Sequence, residues 1–268
     1  MSYITNENMG LQSTESQMVS RFENGTLGNI VSHNYRAAAV LERHGLDFCC
    51  GGRTALAEAC QQRNVDLATV LAELESLETA EADLPLEDPA KLISYIVAHH
   101  HAYVRSSIPV IQAHLAKVAA DHGERHPELR QLVGHFDGLS DELTLHMAEE
   151  EQVLFPCIIA LAEAMRSGGP LPPGVFGTVQ DPIRMMEIEH KYVGDTFATI
   201  RALSSGYTPP ADACTTYRLV YDELRAFESD HHRHVHLEDN VLLPRVVIGL
   251  IDLGLLKRRH RQDVGGLL

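Results

Sequence analysis

The sequence predicts an all-α protein, a four-helix up-down bundle preceded by a small helical domain that contains cysteines. Three observations carry this. Between Pro89 and Leu250 four long segments repeat apolar residues at alternating steps of three and four, the spacing of one helix face. They are separated by loops around 121–127, 166–181 and 204–210, of which the latter two are rich in Gly and Pro. Hydrophobic residues make up 44% of the 268, aromatics only 6%, and Trp is absent, so the core has to be aliphatic, as helical bundles tend to be.

The elements follow in order. Residues 1–20 are polar and patternless and read as a flexible arm. Residues 21–79 form the small domain. One helix runs to about His44 and stops at Gly45, a residue suited to a helix C-terminus. A second begins near the N-cap candidate Thr54, and a third runs from near Asp66 to about Leu77. The acidic, proline-bearing stretch that follows reads as a linker, 80–89. The bundle occupies 90–250 and a tail 251–268.

The predicted core stripes are Val97, His101, Val104, Ile108, Ile111 and Leu115 on the first bundle helix, and Leu132, Phe136, Leu139, Leu143, His146, Glu150, Val153 and Cys157 on the second. The third carries Ile183, Met186, His190, Val193, Phe197 and Ile200, and the fourth Tyr217, Val220, Leu224, Phe227, His231, His234, Glu238 and Val241. Each stripe is apolar except where His, or His with Glu, interrupts it. A buried carboxylate without a partner costs several kcal/mol, roughly, even after relaxation, so two Glu aimed into a core demand cations.

The interruptions repeat. His146-x-x-x-Glu150-x-x-Val-Leu-Phe-Pro156 matches His234-x-x-x-Glu238-x-x-Val-Leu-Leu-Pro244, and His101-Ala-Tyr-Val104 matches His190-Lys-Tyr-Val193. The offsets are 234 − 146 = 88 and 190 − 101 = 89 residues, which reads as a duplicated helical hairpin. A spacing of four places each His and its Glu one turn apart on one face. The metal ligands predicted are therefore His101, His146, Glu150, His190, His234 and Glu238, a set suited to two ions bridged by the carboxylates. Of the run His99, His100 and His101, the stripe and the repeat both select His101. Nitrogen and oxygen donors without thiolate suit iron or manganese, and four His favour iron; zinc and copper stay open. Glu142 and Glu189, beside ligands, are candidates to hydrogen-bond them or guide protons. His231, one turn before His234, is a supporting group or an alternative ligand.

A net charge of −15 argues against nucleic acid as a partner. The longest apolar stretch, near the C-terminus, is interrupted by Arg245 and Asp252, so no membrane span is expected. Five Cys without a CxxC, and no visible signal peptide, suggest the reducing cytoplasm. Adjacent Cys49 and Cys50 precede Gly51-Gly52 and are candidates for iron transfer or thiol chemistry, while Cys60, Cys157 and Cys214 are expected to pack.

At these residues the chain resembles a known family. The two H-x-x-x-E-x-x-V-L-[FL]-P segments and His100-His101-Ala102-Tyr103 resemble a hemerythrin-like domain. Arg43–Gly52 (RHGLDFCCGG) is similar to the small cysteine domain of the Repair of Iron Centres family, and Lys117–Leu129 also looks family-like. The resemblance implies a di-iron protein, oxo-bridged when oxidised, that repairs iron–sulfur clusters damaged by nitric oxide or peroxide under nitrosative or oxidative stress. It maps the di-iron ligands onto the six residues above and the family's cysteine pair onto Cys49 and Cys50. His231 departs from the pattern, where an apolar residue is expected. Its partners would be damaged iron–sulfur proteins, with nitric oxide or dioxygen as small ligands; a homodimer is compatible with the chain. Donation of iron is the leading activity. Reduction of nitric oxide to nitrous oxide, or carriage or sensing of dioxygen or nitric oxide, are the alternatives.

Overall fold

The computed structural model describes residues 22, 25–77, 88–169 and 180–252. The arm at 1–20, the linker at 80–89 except for its last two residues, and the tail beyond Asp252 lie outside the described residues. What is described is helical, with a single isolated bridge, Thr26 to Ala55. The chain divides into two compact units at residues 83 and 84.

Among the described residues the first unit has four short helices: α1 (Leu27–His33), α2 (Ala37–Arg43), α3 (Leu56–Arg63) and α4 (Leu67–Glu75). The pattern expected to run unbroken to His44 is split in two. Asn34 accepts from the Arg36 amide through its side chain at 3.1 Å, a local turn that competes with helix. Gly45 then closes α2 at φ 65°, a conformation that favours Gly. Thr54 is not the cap of α3. Ala55 holds that position without a side-chain bond, while the Thr54 carbonyl accepts from the Leu27 amide at 3.0 Å, tying the starts of α1 and α3 together. Asp66 does cap α4, accepting from the Thr69 amide at 3.0 Å. Leu27, Ile30, Val31, Leu41, Phe48, Leu56 and Val70 supply much of this unit's core.

The second unit contains α5 (residues 89–122), α6 (128–167), α7 (Gln180–Leu203) and α8 (215–252). Pro89 opens α5, and Asp88 accepts from the Ala90 and Lys91 amides at 3.0 and 3.3 Å. The linker's last two residues thus already belong to the bundle. Helix α8 continues through Asp252, past the point where a tail was expected. Val104, Ile111, Leu132, Phe136, Phe197, Leu224 and Phe227 interlock between the four helices.

Three helices depart from the regular pitch. α5, α6 and α8 each contain a π-helical segment, at Val97–His101, Glu150–Leu154 and Leu237–Leu242. A π turn inserts one residue and rotates what lies beyond it by about a quarter turn. The predicted stripes slip there. Ile96, not Val97, is fully buried ahead of His101. Val153, expected inside, is 68% exposed, and Phe155 and Ile158 continue the core face after Glu150. Cys157 is correspondingly only half-buried. Cys60 packs as expected, but Cys214 is exposed at the N-cap of α8, with Sγ 3.2 Å from His122 Nε2.

Candidate metal centre

The π segments lie where the sequence placed the ligands. His101 ends the one in α5, Glu150 begins the one in α6, and Glu238 lies in the one in α8. His146 and His234 sit one turn before the two Glu, and α7 supplies His190 from a regular stretch. Buried apolar residues flank the ligands along the helices: Leu143, Val193 and Phe227 belong to the long core, and Ile96, Phe155 and Leu242 precede or follow the ligands in the other direction.

The six side chains converge as two sets that share their carboxylates. His101 Nε2 is 3.1 Å from His234 Nε2 and 3.2 Å from Glu150 Oε2, while His234 Nε2 is 2.9 Å from Glu238 Oε1. On the other side His146 Nε2 is 3.1 Å from His190 Nε2 and 3.3 Å from Glu150 Oε1, and His190 Nε2 is 3.3 Å from Glu238 Oε2. Each Glu therefore turns one oxygen to each histidine pair. All six residues are at most 4% exposed.

The donor set fits cations. Metal–ligand bonds of about 2.1 Å place neighbouring donor atoms about 3 Å apart, the spacing found here. Among the described residues neither Glu150 oxygen has a hydrogen-bond partner, so a fully buried carboxylate is left without a donor. For His146, burial opposes charging, but the Glu150 carboxylate 3.3 Å from its Nε2 outweighs it and raises the imidazole to about 9. For Glu238, burial works against ionisation, yet the charges of His234 and His190 and their hydrogen bonds hold the carboxyl well below its usual range. Positive charge is what this cluster lacks, and two groups of four donors can each hold an ion.

Carboxylates orient three of the four rings from behind. His101 Nδ1 lies 2.6 Å from Glu151 Oε1, His146 Nδ1 2.8 Å from Glu189 Oε2, and His190 Nδ1 3.0 Å from Asp239 Oδ1. Such partners fix a ligating His and raise its basicity. Glu189 stands where the sequence suggested; Glu142 is half-buried one turn before His146, whose Nδ1 is taken by Glu189. Glu151 and Asp239 were not singled out, although each directly follows a ligand Glu in both copies of the repeat. That acidic pair, Glu-Glu and Glu-Asp, was the available signal.

His231 is buried against Phe197, with ring centroids 5.1 Å apart, and belongs to neither donor group. Burial, then the neighbouring His234, push its basicity well down. His99 is exposed, as the repeat register required, whereas His100 is buried like His101. His100 Nδ1 contacts Asp230 Oδ1 at 3.0 Å.

In the first unit Cys49 is buried and Cys50 exposed, and neither is in a disulfide. Asp47 joins them, its Oδ1 3.1 Å from Cys49 Sγ, and the three form a compact donor group. The hydrogen bond with Cys50, then burial and the nearby charges, push the Cys49 thiol up. A Cβ at Gly51 would stand 2.6 Å from the Asp47 carbonyl oxygen, so this tight turn needs Gly there.

Among the described residues no helix is long and apolar enough to cross a membrane. Comparison with known proteins divides the chain as the structure does. Residues 23–78 match the family described as ScdA_N, Domain of Unknown function (DUF542). Residues 92–246 match the Hemerythrin HHE cation binding domain. The chain is 34% identical over 231 residues to the iron-sulfur cluster repair protein YtfE of Yersinia pestis (strain Pestoides F), covering 85% of this chain and 99% of that protein. It is 33% identical over the same length to the protein of that name from Yersinia pseudotuberculosis serotype O:1b (strain IP 31758), with the same coverage of both.

Proposed function

Because the chain belongs to the hemerythrin HHE family and, with its N-terminal domain, to the YtfE-like iron-sulfur cluster repair proteins, we propose that it restores damaged iron–sulfur clusters with iron held at the bundle centre. The observation that carries the reading is the pair of buried carboxylates, Glu150 and Glu238, each facing both histidine pairs. We assign His101, His234 and one oxygen of each Glu to one iron, and His146, His190 and the other oxygens to the second. Bound there, iron supplies a redox-active, ligand-accepting pair of ions, and it is also the cargo the repair consumes.

The protein's own part is to collect, shield and give up that iron. Four neutral imidazoles and two carboxylates would bind it, and their burial, at most 4% exposed, keeps bulk water from it. Glu151, Glu189 and Asp239 hold three of the rings in the tautomer that leaves Nε2 free to ligate. Cys50, exposed beside Asp47, is the thiol best placed to meet a client cluster or incoming iron, with Cys49 kept protonated behind it.

The test loads the full chain with isotopically labelled iron under anaerobic conditions. It is then mixed with a client whose four-iron cluster has been degraded by nitric oxide. The expected result is recovery of client activity with labelled iron in the rebuilt cluster. Recovery without label would overturn donation from the bundle. Nitrous oxide, measured in the same vessel, reports whether gas reduction accompanies repair.

A further inference from the structure

The duplicated hairpin relates α5 to α7 by 89 residues and α6 to α8 by 88, so each group near the centre has a counterpart. Glu151 behind His101 corresponds to Asp239 behind His190, since 239 − 151 = 88. Glu189 behind His146 corresponds, by 189 − 89 = 100, to the residue that should stand behind His234. That residue is His100. Among the groups behind the four rings the equivalence fails here, and the geometry shows the result. His234 Nδ1 is buried and has no hydrogen-bond partner among the described residues. His100 is 4% exposed and lies parallel to the His234 ring, with centroids 5.6 Å apart and planes at 4°. Its Nδ1 faces Asp230, and its Nε2 is likewise unpaired.

We propose that the two cation positions are unequal. The position on His101 and His234 holds its ion more weakly and surrenders it first, and His100 sets the difference. This rests on the assignment of the six residues as ligands. An imidazole whose Nδ1–H donates to a carboxylate is a stronger and better-oriented donor at Nε2, and losing such a partner costs about 10- to 100-fold in metal affinity. His146 and His190 both have one. Of the other pair only His101 does, and its Glu151 is shared with Arg105 at 2.7 Å, which draws off part of the negative charge. His100 packs against the His234 ring but offers it no carboxylate, and Asp230 contacts His100 Nδ1 instead. The protein thus has a position from which iron leaves and a position that keeps its ion.

The test is release of iron from the full-length ferrous protein to a strong ferrous chelator, followed anaerobically by the colour of the chelate. Two phases are expected, each of one iron per chain, with rates differing about tenfold or more. His100→Glu places an acceptor behind His234 and should slow the fast phase toward the slow one. Glu189→Ala removes the counterpart acceptor behind His146 and should speed the slow phase toward the fast one. Because His100→Glu adds a buried charge, Glu189→Ala carries the test independently. Two irons leaving in a single phase, or two phases that Glu189→Ala does not bring together, would overturn the inequality while the ligand assignment stands. A chain that takes up fewer than two irons would remove the ligand assignment, and this inference with it.

Discussion

Glu150 and Glu238 matter more to the centre than any one histidine, because each contacts both halves. Glu150→Ala should therefore lower bound iron to less than one per chain, whereas His99→Ala, at an exposed position, should retain two. Metal analysis of the purified proteins checks this, and a Glu150→Ala protein that kept both irons would contradict the bridging role. The convergence of these six donors was legible in the sequence because a charged or polar residue in an otherwise apolar stripe needs a reason, and the duplication supplied the same reason twice. The groups behind them were less legible. Glu151 and Asp239 look like ordinary solvated helix charges until the fold brings them against ligands from other helices. His100 was passed over because neighbours on a regular helix do not both face inward, yet His100 and His101 are both buried here. That exception belongs to the next scale.

A π turn widens the helix locally and lets successive residues share the inner face. The heptad pattern that located α5, α6 and α8 carries no signal for this extra residue, so Val97 and Val153 were placed inside while Ile96 and Phe155 took those positions. Deleting exposed Ala98 should restore the regular pitch in α5. Either His101 or the group Leu92, Ile93 and Ile96 must then turn outward. The expected outcome is loss of bound iron or a marked fall in melting temperature, and a variant unchanged in both would deny the π segment its positioning role. Caps were legible where a side chain makes them, as at Asp66, and illegible where the backbone does, as at Thr54. The hydrogen bonds to Thr69 lower the Asp66 carboxyl below its usual value. The sign follows. A depressed folded-state pKa stabilises above the unfolded value of about 3.9 and is lost as pH falls through the folded value. Hydrogen exchange at the Thr69 amide should be slow and flat between about pH 5 and 8, after correction for intrinsic rates, and gain protection no further on rising pH. Asp66→Ala should speed exchange at neutral pH, and the difference should disappear as pH falls through the lowered folded-state value.

The two compact units, divided at residues 83 and 84, each contain their own apolar core. A chain shortened to residues 84–268 should fold, bind two irons and fail to restore a damaged cluster. Circular dichroism, iron analysis and reactivation assays check the three parts, and full reactivation would remove the N-terminal unit from the repair. Within the bundle, Phe227 meets Tyr103, Phe136 and Phe197 in a Trp-free core. Phe227→Ala should cost about 3–5 kcal/mol by chemical denaturation, and a loss under 1 kcal/mol, roughly that of a surface change, would show that this cluster is not the anchor.

The duplicated hairpin has a further meaning in terms of symmetry. One hairpin alone carries one His and one His-x-x-x-Glu, half of a centre, and two identical copies related by a two-fold axis would complete it as an isologous dimer. In such a dimer every change at one half is made at the other, so both ions would always be held alike. Joining the halves in one chain releases them from that constraint. Position 100 can become His while position 189 stays Glu, and an arrangement that symmetry would keep as two equal reservoirs can acquire a sense of direction.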